Sequence, residues 1–430
     1  NAALPNGGAS LSVLAGVGKQ LAASAFFTAY VANAAYDAGV LAAYVQDTLH
    51  LSSAPDEATA LAEYLAMTPS QQYGLTVSAP GTAYGAWLAG YMEHLTGSLP
   101  ANHDAALSEY STLSDTQKLG FVELVFISEL RAGGRAAAAA GPAHNDYSRA
   151  FKALGTLFPG ADQNPGSTTA TQAGDLLLYF SRIYTLQGGD INLLAPGGEI
   201  NVGLAAAPSS FGVYKDPSQL GIVAENVGSV SLVSDTGVEV NQSRIFAADG
   251  GNILIWSTNG DIDAGRGAKT AISAPPPVIT VNANGQVTQV FPAALTGSGI
   301  QALATSDGIL PGDVDLFAPH GVVNANDAGI VAGNITIGAT AVLGANNISF
   351  SGTSVGVPVT VTGVGASMAG ASSTGAAASS SATSSTENGE RAQKSAISDL
   401  PVGMLDVAVV SLGEEDCRQD DAECMRRQKH

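Results

Sequence analysis

A short phrase that begins with glycine recurs along the middle of this 430-residue chain. In its clearest copy, Gly251 is followed by apolar residues at alternating positions, and Gly260 opens a second short strand nine residues later. The same nine-residue spacing separates two further pairs of glycines, Gly189 with Gly198 and Gly312 with Gly321. Repetition of one strand-and-turn unit is typical of a solenoid, in which each coil is stabilised mainly by its neighbours.

The alternation within each copy explains why the copies need one another. Ile253 and Ile255 point to one side of the strand, while Asn252 and Leu254 point to the other. A lone strand cannot bury its apolar residues, whereas stacked copies can. We expect glycine and Asn or Asp at the corners to supply the positive φ of tight turns. The sequence therefore predicts a parallel β-helix over residues 188–362.

The chain before the repeats is rich in alanine and is predicted to be a helical block, residues 1–160. Its apolar run from Leu11 to His50 favours helix, because Ala and Leu have high helix propensity. Within it, Gln20–Tyr36 is a run of 17 uncharged residues, at the lower limit for a membrane-spanning helix. A buried helical pair is the main interpretation, and a membrane-spanning helix is the alternative.

A later helix of this block has clear signals at both ends. Ser114 with Gln117 three residues on matches a capping box, which satisfies free backbone N–H groups at a helix start. The residues that follow are apolar on almost every side, so this helix is predicted to be buried. Gly133–Gly134 is predicted to end it.

The remaining segments are assigned by composition. Residues 161–187 are predicted to be a connector with an entry strand at Leu176–Phe180, and insertions are expected at 204–220 and 265–305. Residues 363–395 are rich in Gly, Ala, Ser and Thr, which predicts a flexible tether. The last segment, 396–430, is predicted to contain a strand and a loop between Cys417 and Cys424.

The charge balance limits the classes of partner. The formal net charge is −20, with only 17 Lys and Arg, which argues against binding to nucleic acid or to an anionic membrane surface. The 51 glycines and 13% charged residues fit a secreted repeat protein better than a cytosolic enzyme. The chain begins at Asn1 without a signal-peptide pattern, so we interpret it as the C-terminal piece of a longer protein.

The amino-acid sequence of the repeats resembles that of a known family. The likeness is carried by GGDINLLAPGGEINVG (188–203), FAADGGNILIWSTNGDIDAGRGAKT (246–270), the helical stretch 110–137 and the corner Leu157–Gly160. These stretches resemble the C-terminal region of filamentous-haemagglutinin-type exoproteins over roughly residues 110–350. The resemblance implies a right-handed parallel β-helix in an adhesin that two-partner secretion exports through a dedicated outer-membrane pore.

Cys417 and Cys424 are the two cysteines of the chain, seven residues apart. In an exported protein a disulfide between them is expected. Two free thiols in an unstructured tail, or a metal site, are the alternatives. Some two-partner adhesins have a C-terminal cysteine pair that forms a hook in the secretion pore. The resemblance therefore implies that Cys417 and Cys424 form a disulfide anchor.

Two pairs of aspartates are the strongest candidates for chemistry. Asp261 with Asp263 and Asp313 with Asp315 lie two residues apart on predicted strands, so each pair shares a face. Such pairs can hold Ca²⁺ or act as acid and base in glycan cleavage. The simpler interpretation is that they are solvated residues on the outer face of the repeat.

Other site signals are weaker. The six histidines are scattered and form no HExxH motif, so we predict no catalytic, metal or cofactor site. Three acceptor patterns for N-glycosylation occur, at Asn241, Asn334 and Asn347.

We therefore predict a non-enzymatic protein, mainly β with an α-helical block, that serves as stalk and outer-membrane anchor of a secreted surface adhesin or filament. Its expected partners are the outer-membrane secretion pore and a glycan or protein receptor on a host surface or matrix. Its expected location is the cell surface, tethered to the outer membrane, with a role in adhesion and biofilm. A β-helical polysaccharide lyase or hydrolase is the alternative.

Overall fold

The structure, a computed structural model, describes most of the chain in full and four short strands by their backbone alone. The fully described ranges are 9–17, 21–161, 172–179, 181–186, 188–204, 220–267, 295–306 (Thr296 by its backbone alone) and 308–358. The backbone-only ranges are 272–273, 278–281, 287–290 and 406–408. The tether predicted at 363–395 lies outside the described residues.

The described residues contain eight α-helices, all before residue 160. They are α1 (Ala23–Phe27), α2 (Ala38–Leu49), α3 (Glu57–Ala66), α4 (Pro69–Ser78), α5 (Pro80–Thr96), α6 (His103–Ser111), α7 (Asp115–Ala138) and α8 (Ser148–Leu157). A π-helical turn, Thr28–Ala32, directly continues α1.

The helix starts follow the capping signals of the sequence. Ser114 precedes α7, and its side chain accepts a hydrogen bond from the Gln117 backbone while the Gln117 side chain accepts one from the Ser114 backbone. The predicted capping box is therefore confirmed. Asp56 caps α3 in a simpler way, because its Oδ1 accepts a hydrogen bond from the Thr59 N–H at 2.9 Å. None of the helices within the described residues combines the length and apolarity needed to cross a membrane.

Two predictions about the helical block are wrong. Leu11–Leu14 forms a strand rather than the start of a helix: Val13 is buried between strands while Ser12 faces a helix, a period-2 pattern that the alanine-rich window concealed. Gly133–Gly134 does not end α7, which continues to Ala138. A side chain at Gly134 would collide with the ring of Phe317, so the glycines are there for close packing.

Strands make up the rest of the described chain, and we number them in chain order. They are β1 (Leu11–Leu14), β2 (Leu176–Leu177), β3 (Arg182–Thr185), β4 (Ile191–Ala195), β5 (Glu199–Asn201), β6 (Gly221–Ala224), β7 (Val230–Ser234), β8 (Gly237–Glu239), β9 (Arg244–Ala248), β10 (Ile253–Ser257), β11 (Asp261–Asp263), β12 (Ile272–Ser273), β13 (Val278–Val281), β14 (Val287–Val290), β15 (Leu295–Thr296), β16 (Gly299–Leu303), β17 (Val314–Asn324), β18 (Ile330–Ala332), β19 (Ile335–Leu343), β20 (Ile348–Phe350), β21 (Ser354–Val355) and β22 (Asp406–Ala408).

The strands stack in three parallel rows. Row A contains β1, β4, β7, β10, the first parts of β17 and β19, and β21. Row B contains β2, β5, β8, β11 and the second parts of β17 and β19. Row C contains β3, β6, β9, β16, β18 and β20. From β3 onward, successive passes of the chain add strands to rows C, A and B in turn.

The repeated phrase lies in register from one pass to the next. Ile191 pairs with Val230, Val230 with Ile253, and Ile253 with Val314. These residues are fully buried and belong to one apolar core between the rows. Gly189 and Gly250 have the positive φ that was expected at the corners, but two other glycines of the repeat are required for a different reason. A Cβ at Gly251 or Gly312 would strike the backbone of the glycine one pass earlier, so it is close approach, not positive φ, that requires glycine.

The fold therefore combines α-helices with parallel sheets, which confirms the predicted mixture of a helical and a strand-rich region. Right-handed β-helical winding and the domain boundaries stay predictions. Two antiparallel pairs, β12 with β15 and β13 with β14, fall within the insertion predicted at 265–305.

Candidate functional site

The helices cover the outer face of row A, and this contact is the most specific arrangement of side chains in the described residues. Leu194, Val233, Trp256 and Phe317 are neighbours in register along this face. All four are fully buried and share one apolar core with the helices. Apolar burial on both sides of row A thus joins the helical region to the strands.

Aromatic rings fill the centre of the contact. The ring centroid of Trp256 lies 6.0 Å from that of Tyr147 and 5.7 Å from that of Phe151, both in edge-on arrangements. Phe317 lies 6.1 Å from Trp256 and packs against Gly134 of α7. The Trp256 Nε1–H donates to the Thr258 hydroxyl at 3.0 Å, so the buried indole keeps a polar partner.

Two arginines of α7 bind the aspartates at the start of β17. Arg135 forms a bidentate pair with Asp315, with Nε–Oδ1 and Nη2–Oδ2 distances of 2.7 and 2.8 Å, and Nη2 also contacts Asp313 at 2.9 Å. Arg131 Nε donates to Asp315 Oδ2 at 3.1 Å. The Asp315 side chain is 0% exposed. Burial alone would lower the pKa of Arg135, but Asp315 and Asp313 raise it above its ordinary value.

This arrangement changes the interpretation of the predicted aspartate pair. Asp315 is not a solvated outer-face residue but the buried anion of a clamp. The nearby basic residues come from α7, more than 170 positions earlier in the chain. Two carboxylates and two guanidinium groups therefore neutralise one another inside the contact.

A second buried carboxylate lies further along the same contact. Glu123 of α7 accepts a hydrogen bond from the Ser12 hydroxyl at 2.6 Å and a longer one, 3.4 Å, from the Asn192 amide. Its Oε1 has no hydrogen-bond partner within the described residues. Burial raises the pKa of Glu123 to about 7, against the two hydrogen bonds, which lower it. The α7 contact thus carries a titratable group near neutral pH.

The other predicted pair, Asp261 and Asp263, lies on row B, where none of the eight described helices covers it. Asp263 accepts hydrogen bonds from the Gly265 N–H at 2.7 Å and from the side chains of Asn324 and Asn326 at 3.3–3.4 Å. This Asn/Asp ladder supports the simpler interpretation, a partly solvated outer row of the repeat.

Two glutamates extend the ladder of row B. The Asn201 amide donates to Glu199 at 3.1 Å and to Glu239 at 3.4 Å. Burial and the neighbouring Glu239 raise the pKa of Glu199 to about 7. Burial also raises the pKa of Glu239. Among the described residues, no group of three His, Cys, Asp or Glu side chains is arranged to hold a metal ion.

The three candidate glycosylation sites are described, and each amide donates a hydrogen bond to a neighbouring pass of the chain. Asn241 donates to the Gly203 carbonyl at 2.9 Å, Asn334 donates to Asp313 at 2.8 Å, and Asn347 donates to the Asn326 carbonyl at 2.5 Å. Attachment of a glycan at any of them stays a prediction. Cys417 and Cys424 lie outside the described residues, so the predicted disulfide also stays a prediction.

One signal for the helix contact is present in the sequence but was not used in the predictions above. The outer position of the row A strands is occupied by Val233, Trp256 and Phe317, whereas at the comparable position of row B the repeat has polar residues. A large apolar residue on the outer face predicts a covering element, but not which element.

Comparison with known proteins supports one family. Residues 250–359 match the model of a family described as "Filamentous haemagglutinin family outer membrane protein". No curated protein and no solved structure matches the chain. The matched residues begin just before β10, so the match covers β10, β17 and β19, three of the strands that contact α7. The resemblance predicted from the repeats is thereby confirmed over residues 250–359, which are similar to the filamentous haemagglutinin family of outer membrane proteins.

Proposed function

We propose that this chain is the C-terminal, cell-proximal part of a large secreted surface adhesin or filament, exported by two-partner secretion. The observation that carries the proposal is the family match over residues 250–359, whose description places the family at the outer membrane. The three rows of parallel strands suit a stalk, because each pass of the chain is held by the passes before and after it.

We also propose that the three rows form a right-handed parallel β-helix. In-register pairing of Ile191, Val230, Ile253 and Val314 supports it, since one strand of each pass lies directly on the next. Connections between parallel strands are almost always right-handed, because strands twist in that sense. An experimental structure of residues 181–358 within the full chain would test the winding, and a left-handed coil would contradict it.

The tail is proposed to hold the protein on the cell. Cys417 and Cys424 would close a loop that lodges in the outer-membrane pore, tethering the stalk at the cell surface. The test compares whole cells and medium by immunoblot for Cys417→Ser and Cys424→Ser variants, with and without a reductant. Ala422→Ser is the matched control, because it alters the same loop and keeps both thiols.

The expected result is that both cysteine variants and the reductant release the protein into the medium, while Ala422→Ser stays on the cell. Equal retention of every variant, or equal release, would contradict the anchor. The adhesive role would be supported if the unchanged protein stays on the cell surface and cells that carry it bind to a receptor surface. Adhesion of this kind needs no enzymatic step.

A polysaccharide-degrading enzyme is the second candidate, and one observation favours it. Glu199 and Glu239 share the Asn201 amide, and both carboxyl pKa values are raised, as a general acid requires. Incubation of the purified chain with acidic and neutral polysaccharides, with release of reducing ends as the readout, separates the two functions. Turnover that is lost in Glu199→Gln would favour the enzyme, and absence of turnover would favour the adhesin.

A further inference from the structure

An open cavity of about 530 Å³ lies among the helices, away from the contact with row A. Its wall contains Tyr30, Glu129, Ser148, Arg149 and Lys152, and we call it the Lys152 cavity. Ser148 and Lys152 are exposed, whereas Glu129 is buried. Because residues four apart on a helix share a face, α8 presents Ser148 and Lys152 side by side.

The charged groups at the floor of the Lys152 cavity are paired with one another. Arg149 binds Glu129 through two hydrogen bonds, from Nε at 2.9 Å and from Nη2 at 2.6 Å, and the Tyr84 hydroxyl donates to Glu129 at 2.5 Å. Burial alone would lower the pKa of Arg149, but Glu129 raises it above its ordinary value, so Arg149 keeps its positive charge. Glu129 therefore offers no free negative charge to an incoming cation.

The positive charge of Lys152 remains available. No ion pair involves Lys152 within the described residues. Arg149 and Lys152 together outweigh Glu129, so the wall carries one net positive charge in a chain whose net charge is −20. A cavity with that sign favours a small anion and disfavours cations.

Hydroxyl groups complete the wall. The Tyr30 hydroxyl is shielded from solvent and makes no hydrogen bond within the described residues. Burial raises its pKa to about 12, against the opposing effect of the nearby Thr156 hydroxyl. The Thr156 hydroxyl itself donates to the Lys152 carbonyl at 2.7 Å. The Ser148 hydroxyl lies at the open side of the wall. A buried hydroxyl without a partner is costly, so Tyr30 would gain from a polar ligand group.

We propose that the Lys152 cavity binds a small carboxylate that also carries hydroxyl groups, of the hexuronic acid class. Lys152 pairs with the carboxylate, and the hydroxyls of Tyr30 and Ser148 bind the ligand hydroxyls. The volume lies within the range of ligand pockets and is sufficient for one or two sugar units. The cavity uses neither Cys417 nor Cys424, so ligand binding and surface retention can fail independently.

The test is a calorimetric titration of the full purified chain with glucuronate at pH 7, with glucose and acetate as separate ligands. We expect saturable binding of glucuronate with a Kd of about 1 mM, the strength of one ion pair with a few hydrogen bonds. Glucose lacks the carboxylate and acetate lacks the hydroxyls, so each should bind at least about tenfold more weakly.

Three variants locate the binding. Lys152→Gln should weaken glucuronate binding about tenfold or more, because it removes the ligand's counter-ion. Tyr30→Phe should weaken it about threefold, because the ring that stacks on Phe26 at 4.4 Å is kept and only the hydroxyl is lost. Lys118→Gln is the control, since Lys118 binds the Ser111 carbonyl at 3.0 Å instead of lining the cavity.

The outcomes that would overturn the proposal are equally direct. They are absence of saturable glucuronate binding, equal affinity for glucose or acetate, and equal weakening by Lys118→Gln and Lys152→Gln. Unfolding curves of each variant accompany the titration. Because Lys152 is exposed and Tyr30→Phe keeps the ring, we expect the unfolding midpoints to match that of the unchanged protein.

Discussion

The two aspartate pairs, Asp261–Asp263 and Asp313–Asp315, have the same spacing in the repeat but end in opposite environments. Asp263 lies at an uncovered row B and binds backbone and Asn amides. Asp315 lies on row A under α7, fully buried between two guanidinium groups. One local pattern therefore gives a partly solvated ladder in one place and a buried ion clamp in the other, and the covering helix makes the difference.

The comparison shows where specificity enters a repetitive fold. The residues that face the interior between the rows are nearly equivalent from pass to pass, because every pass has to bury the same kind of side chain. The residues on the outer faces of the rows are free to differ. On row A, Trp256 and Phe317 are complementary to the helices in shape, and Asp315 is complementary to them in charge.

The largest effect is expected for Asp315→Asn. The substitution keeps the volume but removes the carboxylate that both arginines bind: Arg131 loses its ion-pair partner, and Arg135 keeps only Asp313. We expect the free energy of unfolding to fall by about 3 kcal/mol. Urea unfolding followed by tryptophan fluorescence measures it, and a loss near zero would contradict the clamp.

Glu123→Gln tests the other end of the same contact through pH. The Glu123 pKa is raised from 4.5 to about 7 in the folded chain, so its stabilising contribution is complete below about pH 4.5. That contribution is lost as the pH rises through about 7. At pH 8 the variant should be more stable than the unchanged protein by about 3 kcal/mol, and at pH 4.5 the two should be similar.

The effect of Glu123 has to be measured as the difference in free energy of unfolding between Glu123→Gln and the unchanged protein at each pH. Glu199 and Glu225 also have pKa values raised to about 7, so they change the stability of both proteins in the same direction. Unfolding curves at several pH values between 4.5 and 8 supply the measurement. Parallel stability curves for Glu123→Gln and the unchanged protein would show that Glu123 does not titrate near 7.

Gly134→Ala tests the shape complementarity. The added methyl would collide with the Phe317 ring, which should cost about 1–2 kcal/mol after the gain in helix propensity. In a Phe317→Ala background the same change should become neutral or stabilising, because the ring is gone. A cost that persists there would mean that Gly134 is required for another reason.

The smallest effect is expected for Asp263→Asn on the uncovered row. The new side chain keeps one oxygen for the Gly265 N–H, and the lost charge has only amide partners. A change below about 1 kcal/mol in the free energy of unfolding is expected. A loss as large as that of Asp315→Asn would remove the contrast between the two rows.

Much of the local structure was predictable because its causes are local. The capping box at Ser114 and the pairing of the repeated phrase depend on residues near one another or on a fixed period. The start at Leu11 and the continuation of α7 through Gly133–Gly134 were missed, because both depend on contacts with distant strands. The predicted positive φ is present at corners such as Gly189 and Gly250, whereas crowding by the preceding pass, which requires glycine at Gly251 and Gly312, was not predicted.

The sequence by itself determined that this chain forms helices followed by repeated parallel strands, and it predicted the family that residues 250–359 resemble. Hydrophobic period, capping residues and glycine spacing act within a few residues of the chain. They can therefore be read from the sequence without knowledge of the fold. Only the tertiary structure decided that α7 lies on row A, that Asp315 receives Arg131 and Arg135, and that Glu123 is buried against Ser12. Those pairings join residues about 110 to 180 positions apart, and no local pattern specifies which distant surface completes a charge or fills an apolar face.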